Sequence, residues 1–153
     1  MVPEELPGRI RFAAAKDLPK VMEIETLSFR DPWIYQNFKE ALKDLFIVYE
    51  AEGEVAGFLI ACCCETANKA MILKLAVFPD YRGRGIASAL LKAVVEELKL
   101  TGAAEVELVV DVDRPGAIKL YERVGFKIVR VVDMDYDNGD EESFYIMTMR
   151  LNG

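Results

Sequence analysis

Between positions 71 and 98 the chain changes its hydrophobic period once, and it does so across a loop that few folds can use. Met71 to Val77 is a short apolar run of the kind that forms a strand. Phe78-Pro79-Asp80-Tyr81 and Arg82-Gly83-Arg84-Gly85 follow, and from Ile86 the residues Leu90, Leu91, Val94, Val95 and Leu98 recur at helical spacing as far as Gly102. A glycine-rich turn that feeds a helix lines up unpaired backbone N–H groups at the positive end of the helix dipole, and flanking guanidinium groups add charge. That is the outline of a phosphate cradle. As a plain strand-to-helix turn, the same glycines would do no more than satisfy backbone angles, so the context has to decide.

The rest of the chain supplies it. Residues 9 to 14 alternate charged and apolar as an opening strand. Asp17 then reads as an N-cap, with Pro19 in the first turn of a helix through Val21, Ile24, Leu27 and Ser28. Pro32 breaks that helix and a second starts near Trp33, carrying Phe38, Ala41 and Leu42. Strands at 46–51 and 55–64 join in a tight hairpin at Glu52-Gly53, and a short polar turn at 66–69 leads to the strand at 71–77. After the long helix come a fifth strand at 105–110 and a helix with Pro115 in its first turn, capped by Asp113 or Arg114 and ended at Gly125. Two closing strands, 126–132 and 144–150, flank an acidic loop. The expected fold is α/β: one domain over residues 1–153 with its core at about 9–151, a mixed sheet of about seven strands and about four helices.

Charge and cysteine use narrow the partners. The 153 residues carry 26 acids against 19 bases, a formal charge of −7, which speaks against nucleic acid or an anionic membrane surface as the partner. An anionic ligand has to be held locally. No apolar run reaches the roughly 18 to 20 residues that span a bilayer, and Pro3, Glu4, Glu5 and Pro7 lack the basic start of a signal peptide, so the expectation is a cytoplasmic protein. Cys62, Cys63 and Cys64 are consecutive, the wrong spacing for a Cys-x-x-Cys metal or redox site, and read as small residues of a strand. With no histidine anywhere, a Ser-His-Asp triad and most zinc sites are excluded, and no metal is expected.

Three kinds of nucleotide loop compete for residues 82–88. The P-loop pattern is absent, and a Rossmann Gly-x-Gly-x-x-Gly requires glycine where this chain has Ser88. Arg82-Gly83-Arg84-Gly85-Ile86-Ala87 fits the acetyl-CoA pyrophosphate signature Arg/Gln-x-x-Gly-x-Gly/Ala. With the element order, this makes the chain resemble the GNAT superfamily of N-acetyltransferases from about residue 9 to 151. Within it the chain is most similar to RimI-type protein N-terminal acetyltransferases, through Ile24-Glu25…Phe29, Pro32-Trp33, Leu75 to Tyr81, Ala117-Ile118…Leu120-Tyr121 and Gly125-Phe126.

The resemblance implies a GNAT fold and transfer of an acetyl group from acetyl-CoA to an amine, most simply a protein or peptide N-terminus. It assigns the backbone of Leu75, Ala76 and Val77 to the pantetheine arm, with the Val77 N–H aimed at the thioester oxygen. Arg82, Gly83, Arg84, Gly85, Ile86, Ala87 and Ser88 would surround the pyrophosphate, and Arg114 would stand beside the cofactor where the family usually has asparagine. Tyr121 falls at the family's Leu-Tyr position, as the acid that protonates the departing sulfur.

The base stays open. Val109 occupies the position of the RimI-like glutamate, and a valine takes no proton. Strand alternation puts Glu105, Glu107 and Asp111 on the same face, Glu107 and Asp111 each about 6 to 7 Å from Val109. The resemblance implies Asp31 as the other candidate, since related N-terminal acetyltransferases carry an acid in the loop between the first two helices, and water can serve because a free α-amine has a pKa of about 8. Six acids between Asp133 and Glu142 either form a solvated tip or favour a cationic acceptor. A small polyamine-like or amino-acid acceptor, and a CoA-binding sensor without turnover, are the competing readings.

Overall fold

The computed structural model describes residues 8–64 and 68–151. Its strands are β1 (Gly8–Phe12), β2 (Leu45–Ala51), β3 (Glu54–Cys64), β4 (Lys69–Val77), β5 (Glu105–Asp111), β6 (Lys127–Asp135) and β7 (Glu141–Arg150). Its helices are α1 (Leu18–Ser28), α2 (Tyr35–Ala41), α3 (Ile86–Leu100) and α4 (Pro115–Val124). The strands form one sheet in the order β1-β2-β3-β4-β5-β7-β6. β4 and β5 run parallel, whereas β1-β2, β2-β3, β5-β7 and β7-β6 are antiparallel, so the mixed α/β sheet of seven strands and four helices is as expected. Of the turn at 66–69, positions 66 and 67 lie outside the described residues, as do Pro3 to Pro7 and the side chain of Cys64.

Within the described residues the chain divides into two compact units, 8–62 with 73–97, and 63–72 with 98–151. The first is organised by aromatic packing. Phe38, Phe46 and Phe58 are all but fully buried, with ring centroids 5.8 to 6.4 Å apart, and Trp33 joins Phe38 at 5.3 Å. Leu18, Val21 and Ile24 of α1 close the same cluster, each side chain stabilising by about 1.5 to 3 kcal/mol on burial. A Cβ on Gly57 would stand 3.1 Å from the Ala76 carbonyl and 3.2 Å from Ile86, so glycine is what lets β3 lie this close to β4 and α3. In the second unit Val106, Leu108 and Val110 point into the interior with Phe126 and Met147, leaving Glu105, Glu107, Val109 and Asp111 on the opposite face as strand alternation requires.

Helix α3 follows its sequence pattern closely: Ile86, Leu90, Leu91, Val94, Val95 and Leu98 are all buried. Local detail differs from the expectation at three places. Asp17 stands at the N-cap of α1, as expected, but its side chain makes no capping bond to that helix: its carboxylate accepts both terminal nitrogens of Arg11 at 2.8 Å and the Ala14 N–H at 2.8 Å, because a bidentate guanidinium outcompetes a single helix-end donor. Helix α2 starts at Tyr35, with Ile34 at its N-cap one residue past Trp33; the Ile34 N–H donates to Asn37 Oδ1 at this helix start, and the Trp33 N–H donates to Glu25. The acidic loop is shorter than its charge run: Asp133 and Asp135 belong to β6, Glu141 and Glu142 to β7, and cross-strand pairing leaves residues 136–140 as an exposed tip. No helix among the described residues is long and apolar enough to cross a membrane.

Candidate active site

The first unit holds a strand end, a loop and a helix start in direct succession. The Phe78 N–H donates to the Ala56 carbonyl of β3 at 2.7 Å. Backbone groups alternate sides along a strand, so the N–H groups of Val77 and Leu75 point away from β3. The parallel ladder from β4 to β5 covers only Lys69 to Met71 and does not reach these two residues.

After the strand, Gly83 and Gly85 take φ values of +78° and +84°, the left-handed region in which a side chain is strained. A Cβ built on Gly83 would meet nothing within 4 Å. The first i→i−4 bond of α3 runs from the Ala89 N–H to the Gly85 carbonyl at 3.0 Å, so the N–H groups of Ile86, Ala87 and Ser88 stand ahead of the helical ladder. A helix of 15 residues adds its dipole at this end.

The two arginines of the loop do different things. Arg82 turns back: its Nε donates to the Val77 carbonyl at 3.0 Å and its Nη2 to Ser28 Oγ at 3.3 Å. Arg84 is exposed, with its guanidinium 5.2 Å from the centroid of the Tyr81 ring. The Tyr81 hydroxyl donates to Glu52 at 3.3 Å. Desolvation and that nearby acid raise the Tyr81 phenol above its ordinary range, which keeps it a neutral platform for the arginine.

Two residues of the same unit carry more of the site than their sequence context announces. Glu25 of α1 is completely buried, and its Oε2 accepts both the Trp33 N–H and the Lys74 ammonium at 2.8 Å. The signal was present in a form easy to pass over, because Leu18, Val21 and Glu25 share a helical stripe and an acid on an apolar stripe asks for a partner. Nothing local says that the partner is Lys74. Asp31, in the segment between α1 and α2, is exposed.

The second unit contains the other candidates. Glu107 is held by Lys69 Nζ at 2.7 Å, and Glu105 lies 3.7 Å from the same ammonium. Hydrogen bonding to Glu107 comes first among the causes that raise the Lys69 ammonium above its ordinary value. Asp111 accepts the Asp113 N–H at 2.8 Å, and Arg114 is exposed at the N-cap of α4 without a capping side-chain bond. Tyr121 is half-buried, its ring edge-on to Phe126 at 6.0 Å. Burial pushes the Tyr121 hydroxyl up, against a smaller lowering by the charge of Arg114. Among the described residues no group of His, Cys, Asp and Glu side chains is placed to hold a metal ion.

An extended thioester with a pyrophosphate needs a row of strand-edge donors followed by an anion-holding helix start that no side chain obstructs. Leu75 to Val77 and Gly83 to Ser88 fit that need. The class is that of an acyl-CoA-handling α/β enzyme, and the chain belongs to the acetyltransferase (GNAT) family, whose model matches residues 14–126. It is 32% identical, over 94% of its length and 93% of the relative's, to an N-alpha-acetyltransferase of Sulfurisphaera tokodaii. It is 29% identical to the [ribosomal protein bS18]-alanine N-acetyltransferase of Escherichia coli K12, over 89% of this chain and 93% of that protein. The crystal structure of the ribosomal-protein-S18-alanine N-acetyltransferase from Escherichia coli superposes with a TM-score of 0.84 at 27% identity, covering 95% of each chain. The protein is therefore an acetyl-CoA-dependent N-acetyltransferase, and the reading of a sensor without turnover is set aside.

Proposed function

We propose that the acceptor is the free N-terminal amine of a protein or peptide, acetylated by direct attack. Bound acetyl-CoA supplies an activated acyl carbon, whose C–S bond breaks as the amide C–N bond forms. The Val77 N–H, directed away from β3, donates to the carbonyl oxygen as negative charge builds there, and the N–H groups at the start of α3 hold the pyrophosphate. Arg84 adds local positive charge that an acidic chain lacks overall. The Tyr121 hydroxyl, kept protonated by burial, gives its proton to the leaving sulfur.

The amine loses its proton to Asp31, Glu107 or water. Asp31 is exposed and carries no ion pair among the described residues, whereas Glu107 is already engaged by Lys69, so Asp31 is the freer acceptor. Arg114 would stand at the cofactor's edge from the N-cap of α4. We take the chain to work as one N-acetyltransferase domain and to act in the cytoplasm, where a reduced thiol such as that of Cys63 persists.

The observation that carries the reading is the succession of strand-end donors, two left-handed glycines and an uncovered helix start. The relatives named for protein N-terminal acetylation support the acceptor class. The test is an acceptor panel with acetyl-CoA: peptides with free N-termini, the same peptides N-blocked, free lysine, and spermidine. Transfer to free but not blocked peptides is expected. Turnover of spermidine with every peptide silent would overturn the acceptor and favour a small cationic amine beside the acidic tip.

A further inference from the structure

Glu25 is an acid with no exposure at all, and one of its oxygens, Oε2, binds two donors from different parts of the first unit. One is the backbone of Trp33, in the segment joining α1 to α2. The other is Lys74, only 13% exposed, the residue immediately before the Leu75 to Val77 donor row. The Lys74 ammonium also lies 4.1 Å from the Phe29 ring centroid and 5.2 Å from that of Trp33, so both ends of the 29–33 segment close on it. At the far end of the row, Arg82 joins the Val77 carbonyl to Ser28. The last turn of α1 is thus gripped at both ends of the strand segment that presents its N–H groups.

A buried ion pair is weak as a stability device, because well-packed apolar residues often replace it at no loss. What it does impose is geometry: an apolar replacement would neither orient the Trp33 amide nor fix the ammonium against two rings. We propose that Glu25 is a positioning residue that, through Lys74 and the Trp33 backbone, holds the 29–33 segment with Asp31 in register with Leu75 to Val77, and thereby sets the KM of the acceptor rather than the affinity for acetyl-CoA. The proposal rests on the acetyl-transfer reading for its kinetic half only.

The test uses the fact that Trp33 is the single tryptophan of the chain, so its fluorescence reports the segment directly and without any substrate. Glu25→Gln keeps an oxygen for the Trp33 amide and removes the charge that Lys74 needs; Lys74→Met removes the ammonium and keeps most of the stem. Each variant should raise acrylamide quenching of Trp33 about twofold, and raise the KM of a free-N-terminus peptide about tenfold with the acetyl-CoA Kd changed less than about twofold. The double variant should be no worse than the poorer single one, as residues of one network are not additive. Unchanged quenching in Lys74→Met overturns the proposal whatever the activity. Equal losses in acceptor KM and acetyl-CoA affinity alongside a lowered Tm overturn it too, as a structural role only. If the wild type acetylates no peptide, the transfer reading fails by itself, and the quenching still decides whether Glu25 fixes the segment.

Discussion

Arg82 Nε donates to the Val77 carbonyl at 3.0 Å, which ties the first residue of the glycine loop to the last residue of β4. The same guanidinium reaches Ser28 Oγ, so one planar group with two directed donors spans strand end and helix end. Lysine has one point of charge and no fork. Arg82→Lys should therefore behave nearly as Arg82→Ala, each raising the Kd for acetyl-CoA about tenfold for the loss of one charge-assisted contact. Isothermal titration with acetyl-CoA measures it, and full rescue by lysine would show that the charge alone matters.

The left-handed backbone at Gly85 makes a second expectation. Acetyl-CoA at one hundred times its Kd should stabilise the wild type by about 2.7 kcal/mol, seen as a raised Tm, while NADH at the same concentration does little. Gly85→Val puts a β-branched side chain at φ +84° and into the helix start, and should abolish that shift. A normal acetyl-CoA shift in Gly85→Val would reduce the loop to a plain turn.

Tyr121 acts only while protonated, and burial raises its pKa above the ordinary value near 10. Any alkaline decline of the wild-type rate that comes from this hydroxyl should consequently be centred above the pH at which a free phenol ionises. Tyr121→Phe keeps the ring contact with Phe126 and should lower kcat about 10²-fold with acetyl-CoA affinity intact. Single-turnover rates across pH are the measurement. A phenylalanine variant with wild-type chemistry would leave the sulfur to be protonated by water.

The Arg11–Asp17 pair gives a stability prediction with a defined sign. Hydrogen bonding to Arg11 leads the causes that hold the Asp17 carboxyl below its ordinary range, against desolvation. A folded pKa below the unfolded value near 3.9 contributes stability that is fully present above pH 4 and is lost as pH falls through the lower folded value. Asp17→Asn should cost about 3 kcal/mol at neutral pH and progressively less in stronger acid, as urea melts between pH 7 and pH 2 would show. A pH-independent difference would place the effect in packing instead.

Much of this was legible residue by residue. The helical stripe of Ile86 to Leu98 and the alternation of Glu105 to Asp111 are local periods, and both reappear in the burial of those residues. Gly83 and Gly85 declared their backbone in advance because few residues other than glycine tolerate it. Asp17 does stand at the N-cap of α1, and its side chain goes elsewhere for an equally physical reason. An acid before an apolar helix reads as a cap, and the sequence near it gives no sign that Arg11 will present both nitrogens to the carboxylate.

By itself the sequence determined the element order, the sheet class and the left-handed glycine turn ahead of α3, because these depend on period, turn chemistry and backbone freedom within about ten residues. Only the tertiary structure decided that Glu25 meets Lys74, that Arg82 returns to Val77 and Ser28, that Lys69 occupies Glu107, and where α2 begins. Those contacts join groups that chain folding must first bring together. A charged side chain records its own need for a partner, while the identity of that partner is settled by which strand or helix the sheet sets against it.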